Sequence, residues 1–414
     1  MHPELLRNYL TRRSALGLAG KAGAVGAVAA SIGLTAAGQA QAAGVLDDVP
    51  FDYSDLAAWF PGPYGPADQR GTLNEVTAAK TADALRLVSG SRSVRTYNLG
   101  ELMWNGFPGF TTTPPRVYEQ RLTIGGYTSP GFEAAGGIVQ FREPLGANRL
   151  SLHEERFAAV LSPGYTEPYS TTYQLGTQLD GLNHIGYGEY FYNGHRGPDI
   201  DELWGTSKLG SEHIGPIATR GVLLDILGLK LAQGDSAAIG RPAANGQPVL
   251  ASNYRITVAD IDNAMAFGGI RRLEPGDAIL FRTGWNHLLH RVDRTPDPAD
   301  ITRWSAAEGL PGIYLREARY LAQFRPALIG SDTWALEVLG NPVNNDGTAF
   351  PVHQDLLLRF GIRVGESIVL DGPARDRLYE FVYLVTPQFA EGATCGNTPP
   401  AALGSPRLDI LPRL

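Results

Sequence analysis

The sequence predicts a mixed α/β fold, because short strand-like apolar runs alternate with helix-like segments and turn signals separate them. The 50 glycines and 29 prolines are scattered as brief turn signals, which is typical of many short strands. No internal repeat, heptad run or low-complexity linker interrupts the chain between about residues 55 and 390. We therefore expect a single mixed α/β domain over residues 43–390.

Five runs rich in aliphatic and aromatic residues predict strands. They lie at residues 221–226, 278–282, 327–330, 367–370 and 381–385. Four segments before and between these strands predict helices, because each has a suitable cap or stop residue. The helices are expected at residues 77–89, 258–267, 314–323 and 352–360.

The first 42 residues predict a twin-arginine export signal. Arg12 and Arg13 precede an apolar run from Ala22 to Ala37, and the segment ends in Ala-Gln-Ala at residues 40–42. We expect cleavage near residue 42 and a periplasmic or secreted protein without a membrane span; an uncleaved membrane anchor is the alternative. Since this route exports folded proteins, the signal also favours a metal or cofactor loaded beforehand.

The mature chain is expected to be acidic. Removal of residues 1–42 takes away four basic residues and one acid, so the formal net charge changes from −7 to −10. This charge argues against nucleic acid as a partner. Cys395 is the only cysteine, so no intrachain disulfide can form, and stability must come from the core that a 43% apolar composition can supply.

Polar side chains recur at short spacing between residues 174 and 184. Gln174, Gln178, Asp180 and His184 follow one another at intervals of four, two and four residues. In an extended segment residues 178 and 180 share one face, and a turn through Gly181 can bring His184 back toward them. A polar turn that caps a helix is the alternative interpretation.

His353 and Glu366 form a second, distant pair. His353 lies at the start of a predicted helix, and Glu366 follows thirteen residues later, where the chain returns from the helix to a strand. Hydrolytic metal sites need a few such ligands and one position open for water. Together the two groups predict a metal site, whereas His353 alone would be interpreted as a surface histidine.

Residues 174–184, QLGTQLDGLNH, resemble the signature H-x-G-T-H-x-D-x-x-x-H of the cyclase or kynurenine-formamidase-like metal-dependent hydrolases. The similarity extends over nearly the whole mature chain. The other similar segments are residues 64–74, 219–225, 276–285, 330–333 and 352–353. The resemblance implies the swivelling β/β/α fold of that family, usually a homodimer, with one or two divalent ions in the active site.

The resemblance also implies roles for individual residues. Asp180 matches the bridging carboxylate of the family, His353 and Glu366 match ligands of the second metal, and His184 matches the catalytic histidine. Gln174 and Gln178 stand where the family has two metal-binding histidines.

A glutamine oxygen is a weaker and harder ligand than an imidazole nitrogen, so these two residues change the expected metal site. We expect one divalent ion, manganese or zinc, held by Asp180, His353 and Glu366. Gln178 and Gln174 are further candidate ligands, and loss of the metal is the alternative.

These residues predict a metal-dependent hydrolase that opens an amide, lactam or lactone C(=O)–X bond of a small carbonyl compound. The hypothesis is that the ion activates water and polarises the carbonyl while His184 transfers the proton. The alternatives are a zinc arylformamidase and a non-catalytic periplasmic binding relative.

Four other polar residues could lie near such a site. His287 and His290 are expected to be structural, although their spacing is that of a helical metal pair. His213 is either a ligand or structural. Asp332 is expected to fix a turn near the site.

Two further segments each have two possible interpretations. Trp104, Phe107 and Phe110 form either an apolar substrate wall or an ordinary core cluster. Residues 391–414 are expected to be a loose C-terminal tail or an arm for a partner subunit.

Overall fold

The computed structural model describes most of the chain after the predicted export signal. The described residues are 46–50, 56, 59–91, 93–110, 116–144, 149, 151–157, 172–289, 296–341 and 348–406. The predicted signal at residues 1–42 and His290 therefore lie outside the described residues. Within the described ranges, the helices are too short or too polar to cross a membrane.

The strands and helices alternate along much of the chain. The strands are β1 (Arg95–Asn98), β2 (Gln120–Gly125), β3 (Ile138–Phe141), β4 (Leu152–Phe157), β5 (Gln178–Asp180), β6 (Asp201–Glu202), β7 (Gly205–Thr206), β8 (Ile217–Asp225), β9 (Ala278–Arg282), β10 (Leu328–Ser331), β11 (Arg363–Glu366), β12 (Glu380–Val385), β13 (Cys395–Gly396) and β14 (Ala401–Gly404). The helices are α1 (Ala78–Leu85), α2 (Pro130–Ala134), α3 (Gly197–Ile200), α4 (Ile226–Gln233), α5 (Val258–Gly268), α6 (Pro298–Trp304), α7 (Leu315–Ala322), α8 (Pro351–His353, followed by a π-helix at Gln354–Phe360) and α9 (Asp371–Arg375).

A nine-stranded mixed sheet lies at the centre of the described structure. Its strand order is β1-β14-β12-β8-β9-β10-β11-β5-β13. The four strands β8 to β11 run parallel to one another, and antiparallel strands extend the sheet on both sides. A three-stranded sheet, β3-β2-β4, and the β6–β7 hairpin are separate from it. The predicted mixed α/β class is confirmed.

Apolar layers cover both faces of the parallel strands. Ile279 and Phe281 of β9 belong to one buried cluster, whereas Ala278 and Leu280 belong to another. This separation follows from the alternation of side chains along a strand. A strand that is buried on both faces has a continuous run of apolar residues. Residues 278–282 could therefore be predicted as a strand from the sequence.

The segment around Glu366 differs from the prediction in two ways. The strand expected at residues 367–370 is wrong: β11 covers Arg363–Glu366 and ends before Ser367, whose φ of 51° is left-handed rather than extended. The helix expected at residues 352–360 is present, but it is α-helical only over Pro351–His353 and continues as a π-helix over Gln354–Phe360.

The C-terminal residues also differ from the prediction of a loose tail. β13 pairs with β5 at one edge of the main sheet, and β14 lies between β1 and β12. These pairings place the segment in the sheet although its Gly- and Pro-rich composition does not favour strands. Residues 391–406 are therefore part of the domain, and an arm role for a partner subunit stays a prediction.

A buried cluster of ion pairs connects α1 with β8 and the start of β9. The Asp277 carboxylate is fully buried and accepts hydrogen bonds from Lys80 Nζ (2.6 Å) and from Arg220 Nε (3.0 Å) and Nη2 (2.5 Å). The Glu274 backbone N–H also donates to it (2.7 Å). One carboxylate thus compensates the charges of two largely buried cations.

Asp277→Ala should destabilise the fold by about 3 kcal/mol, because it leaves two buried cations with only weaker partners. Urea unfolding of the purified protein measures this change. Asp83→Ala is the matched control, since Asp83 pairs with Arg86 on the exposed side of α1 and its loss should have no measurable effect. Equal unfolding midpoints for the two variants would contradict this account of the cluster.

Candidate metal centre

Two neighbouring strands present the polar side chains of the site. β5 and β11 are antiparallel, and their register places Glu366 opposite Gln178. Because side chains alternate along a strand, Gln178 and Asp180 lie on the same face of β5, as the sequence predicted. The three polar side chains therefore converge at the ends of these two strands.

The first residues of α8 bring His353 to the same place. His353 Nε2 lies 3.2 Å from Glu366 Oε1 and 3.7 Å from Asp180 Oδ2. The candidate ligand atoms of Asp180, His353 and Glu366 all lie within 4.8 Å of one another. The three residues are only 0%, 2% and 8% exposed, respectively. The structure thus assembles three of the predicted metal ligands into one buried cluster.

Glu337, which the sequence analysis missed, fixes the orientation of His353. Its carboxylate lies 2.5 Å from His353 Nδ1 and accepts hydrogen bonds from the backbone N–H groups of Val352 and His353 (both 3.3 Å). A carboxylate behind a histidine ligand commonly sets its tautomer and leaves Nε2 for the metal. A single acid within the apolar segment 334–338 was the only sequence signal for this residue.

Gln178 and Gln174 form a hydrogen-bonded bridge beside the cluster. Gln178 Nε2 lies within hydrogen-bonding distance of Glu366 Oε2 (2.7 Å), Asp180 Oδ1 (3.2 Å) and Gln174 Oε1 (2.6 Å), so its two N–H groups are shared among three oxygens. Gln174 Nε2 lies 3.4 Å from both the carbonyl and the hydroxyl oxygen of Thr394. The amide of Gln178 thus presents its N–H groups, rather than its oxygen, to the two carboxylates.

Burial sets the protonation of the cluster. Desolvation raises the pKa of Asp180 well above its usual value, and the nearby Glu366 carboxylate adds to the rise. Desolvation also raises the pKa of Glu366, although the hydrogen bond with His353 opposes it. Burial disfavours the His353 cation, but hydrogen bonds with Glu337 and Glu366 outweigh this and raise its pKa to about 10. The cluster therefore retains protons that a metal cation can replace.

The donor set fits a divalent cation. Asp180 Oδ2 is fully buried and has no hydrogen-bond partner among the described residues. Two carboxylates and one imidazole nitrogen are ligands that both zinc and manganese accept. An unpaired buried carboxylate oxygen is costly, and a bound cation would satisfy it.

His184 lies after β5 on the turn that the sequence predicted. Its backbone N–H donates to the Gly181 carbonyl oxygen (3.1 Å), which closes the turn. Desolvation, together with the charges of His353 and Arg116, lowers the pKa of the imidazole to about 3. His184 is therefore a neutral, partly exposed imidazole within electrostatic reach of the cluster.

A cleft opens beside the cluster at Glu366. Gln178 and Glu366 form part of its lining, and aromatic rings and Arg116 form another part. The aromatic rings that line it are those of Phe110, Trp304 and Trp334. Of the predicted aromatic wall, only Phe110 lines the cleft.

Trp104 and Phe107 lie in the aromatic cluster behind the cleft. Their ring centroids are 4.6 Å apart, and Phe107 also lies edge-on to Trp304 at 6.2 Å. Trp104 and Phe107 therefore pack behind the aromatic rings that line the cleft and do not line it themselves. Trp304 and Trp334 were missed because they are distant from the motif in sequence.

The remaining polar candidates have structural contacts. His287 bonds with the Pro248 carbonyl oxygen (2.8 Å) and with Asp371 Oδ1 (2.9 Å), which confirms a structural role. Asp332 accepts hydrogen bonds from the backbone N–H groups of Thr283 and Gly284, as expected of a residue that fixes a turn. His213 lies 3.5 Å from Glu212 and is not one of the clustered metal-ligand candidates.

The cyclase-like sequence pattern and the sheet agree with comparisons to known proteins. The Cyclase family model matches residues 101–338. The crystal structure of a novel cyclase is 28% identical and covers 82% of this chain and 98% of that chain, with a TM-score of 0.61. No curated protein matches the chain.

Two further solved structures are similar at lower levels. Isatin hydrolase A from Ralstonia solanacearum is 14% identical and covers 78% of this chain and 97% of that chain, with a TM-score of 0.46. A predicted metal-dependent hydrolase from Bacillus stearothermophilus is 15% identical and covers 76% of this chain and 100% of that chain, with a TM-score of 0.40. Since the family model spans more than half of the 414 residues and the novel cyclase shares the fold, the protein belongs to the Cyclase family.

Proposed function

We propose that the protein is a metal-dependent hydrolase that opens an amide, lactam or lactone bond in a small carbonyl compound. This proposal rests on the buried cluster of Asp180, His353 and Glu366, of which Glu366 also lines a cleft. Asp180 Oδ2 is fully buried and has no hydrogen-bond partner in the part of the chain that the structure describes, which suits a cation ligand better than it serves stability. Membership of the Cyclase family supports the same proposal.

Asp180, His353 and Glu366 would hold one divalent ion, and we propose manganese or zinc. When bound, such an ion lowers the pKa of water and polarises a carbonyl oxygen. Glu337 would keep His353 Nε2 directed toward the cluster through the contact at Nδ1. Gln178 would restrain both carboxylates by its amide N–H groups, so that their remaining oxygens face the ligand position.

His184 would transfer the proton. Its imidazole is neutral at neutral pH, because desolvation and nearby positive charges lower its pKa. A neutral imidazole can accept a proton from the attacking water and return it to the leaving group. The aromatic rings of Phe110, Trp304 and Trp334 would shield this exchange from bulk water and orient the substrate.

A panel containing isatin, formanilide and a small aryl lactone should reveal hydrolysis by the purified protein. His184→Ala should lower the hydrolysis rate at least about 100-fold and leave the metal content unchanged, because it removes a proton-transfer group and no proposed ligand. His213→Ala is the matched control, since this partly exposed histidine pairs with Glu212 away from the cluster. Chelation should abolish the activity, and manganese or zinc should restore it.

Two outcomes would contradict these assignments. Full activity of His184→Ala would exclude the proposed proton-transfer role. Absence of hydrolysis over the whole panel by a metal-loaded protein would favour the non-catalytic binding relative.

Replacement of both glutamines by histidine should increase the number of bound ions. The variant Gln174→His/Gln178→His provides two imidazoles, which bind zinc more strongly than amide oxygens do. After dialysis against zinc, its content should rise from about one ion per chain to about two. Gln140→His on β3 is the control, because that residue lies in the separate small sheet. An unchanged content in the double variant would show that the glutamines do not limit the site to one ion.

A further inference from the structure

Arg116 brings a positive charge to a cleft whose base is acidic. Among the described residues that line the cleft, Arg116 alone carries a basic side chain, while Glu366 is the lining carboxylate. Arg116 directly precedes the chain segment that leads into β2, and it was not identified from the sequence.

Two contacts fix the position of its guanidinium group. Arg116 Nη1 donates to the backbone carbonyl oxygen of Gln174 (2.9 Å), and the guanidinium carbon lies 5.9 Å from the centre of the Phe110 ring. Both partners are uncharged, so neither neutralises the cation. A guanidinium has five N–H donors, and the Gln174 contact uses only one of its nitrogens.

The charge of Arg116 reaches the catalytic cluster. Arg116 and the proposed ligand Glu366 line the same cleft. Gln174, whose carbonyl oxygen accepts from Arg116, bonds through its side chain to Gln178, which in turn bonds to Glu366. Charge interactions within a cleft are less screened than at the open protein surface.

Hydrolysis of the proposed substrates creates negative charge on oxygen. Water adds to the carbonyl carbon as a C–O bond forms, and the carbonyl oxygen becomes an oxyanion. The C–X bond then breaks as the carbonyl re-forms, X takes one proton, and the acid formed releases its proton to solvent as a carboxylate. The oxyanion and the carboxylate both need a donor that stays charged at neutral pH.

We propose that Arg116 is a catalytic residue that binds this oxyanion and then the carboxylate of the product. The inference rests on the proposed hydrolase function and adds a specific anion-binding group to it. A guanidinium suits this role because its planar N–H groups can contact both oxygens of a carboxylate, which a lysine ammonium does less well. The cleft would therefore prefer an acidic ligand over its neutral amide despite the carboxylates at its base.

The test compares binding of benzoate with binding of benzamide, two probes of similar shape that differ in charge. Titration calorimetry on the purified, metal-containing protein should show tighter binding of benzoate. Arg116→Met should reduce the benzoate preference about tenfold or more, since charge-assisted hydrogen bonds are lost. Arg116→Lys should retain part of it. Metal content is measured for each variant, because benzoate can also bind a metal ion.

Arg121→Met is the matched control. Arg121 lies on β2 and pairs with Glu119 outside the cleft, so its loss should leave the preference unchanged. If Arg116 only held the loop that contains Gln174, Arg116→Met would weaken the binding of benzoate and benzamide equally. Arg116→Lys would then not restore a preference for benzoate.

The two proposals can fail separately. An unchanged benzoate preference in Arg116→Met with normal metal content would overturn the role of Arg116, whether or not the protein hydrolyses a substrate. Absence of a benzoate preference in the wild-type protein would overturn it as well. A preference that depends on Arg116 in a protein without hydrolase activity would support the anion site and count against the hydrolase.

Discussion

The buried negative charge around His353 is the constraint on which the site depends. Asp180, Glu366 and Glu337 place three carboxyl groups around one imidazole, almost without access to solvent. Burial of charge is costly unless each group has a partner. Arg363 is fully buried and donates Nη1 to the Asp180 carbonyl oxygen (3.2 Å), and burial lowers its pKa to about 10. Retained protons or a bound cation would compensate the carboxylates.

The backbone near the cluster is held in strained conformations. Leu336, Phe350 and Ser367 all have positive φ values (58°, 51° and 51°), and each lies within three residues of Glu337, His353 or Glu366. Such conformations typically cost about 1–3 kcal/mol each for non-glycine residues and are common at functional sites. Thr333 stabilises two of them, because its hydroxyl accepts from the Leu336 N–H (3.1 Å) and its carbonyl oxygen accepts from the Ser367 N–H (2.7 Å). These hydrogen bonds thus hold the backbone beside Glu337 and Glu366.

Local patterns predicted only part of this arrangement. The alternation along β5 predicted that Gln178 and Asp180 share a face, and the apolar run of β9 predicted its strand. His353 and Glu366 meet these residues through tertiary contacts. The ligand chemistry of the four side chains suggested a shared metal site, and the family resemblance gave each residue its role. Glu337 and Arg116 lie in segments without a motif, so their places beside His353 and in the cleft could not be predicted from the local pattern. β13 and β14 were missed because their Gly-, Pro- and Ala-rich sequence does not favour strands, and the sheet pairing outweighs that local preference.

Metal analysis shows directly whether the cluster of Asp180, His353 and Glu366 binds a cation. Inductively coupled plasma mass spectrometry on the purified protein and on Asp180→Ala measures whether the buried cluster holds an ion. We expect about one equivalent of manganese or zinc in the wild-type protein and its loss in the variant, because Asp180 supplies the carboxylate oxygen that is unpaired among the described residues. Absence of metal from both folded proteins, or equal metal content in both, would contradict the account.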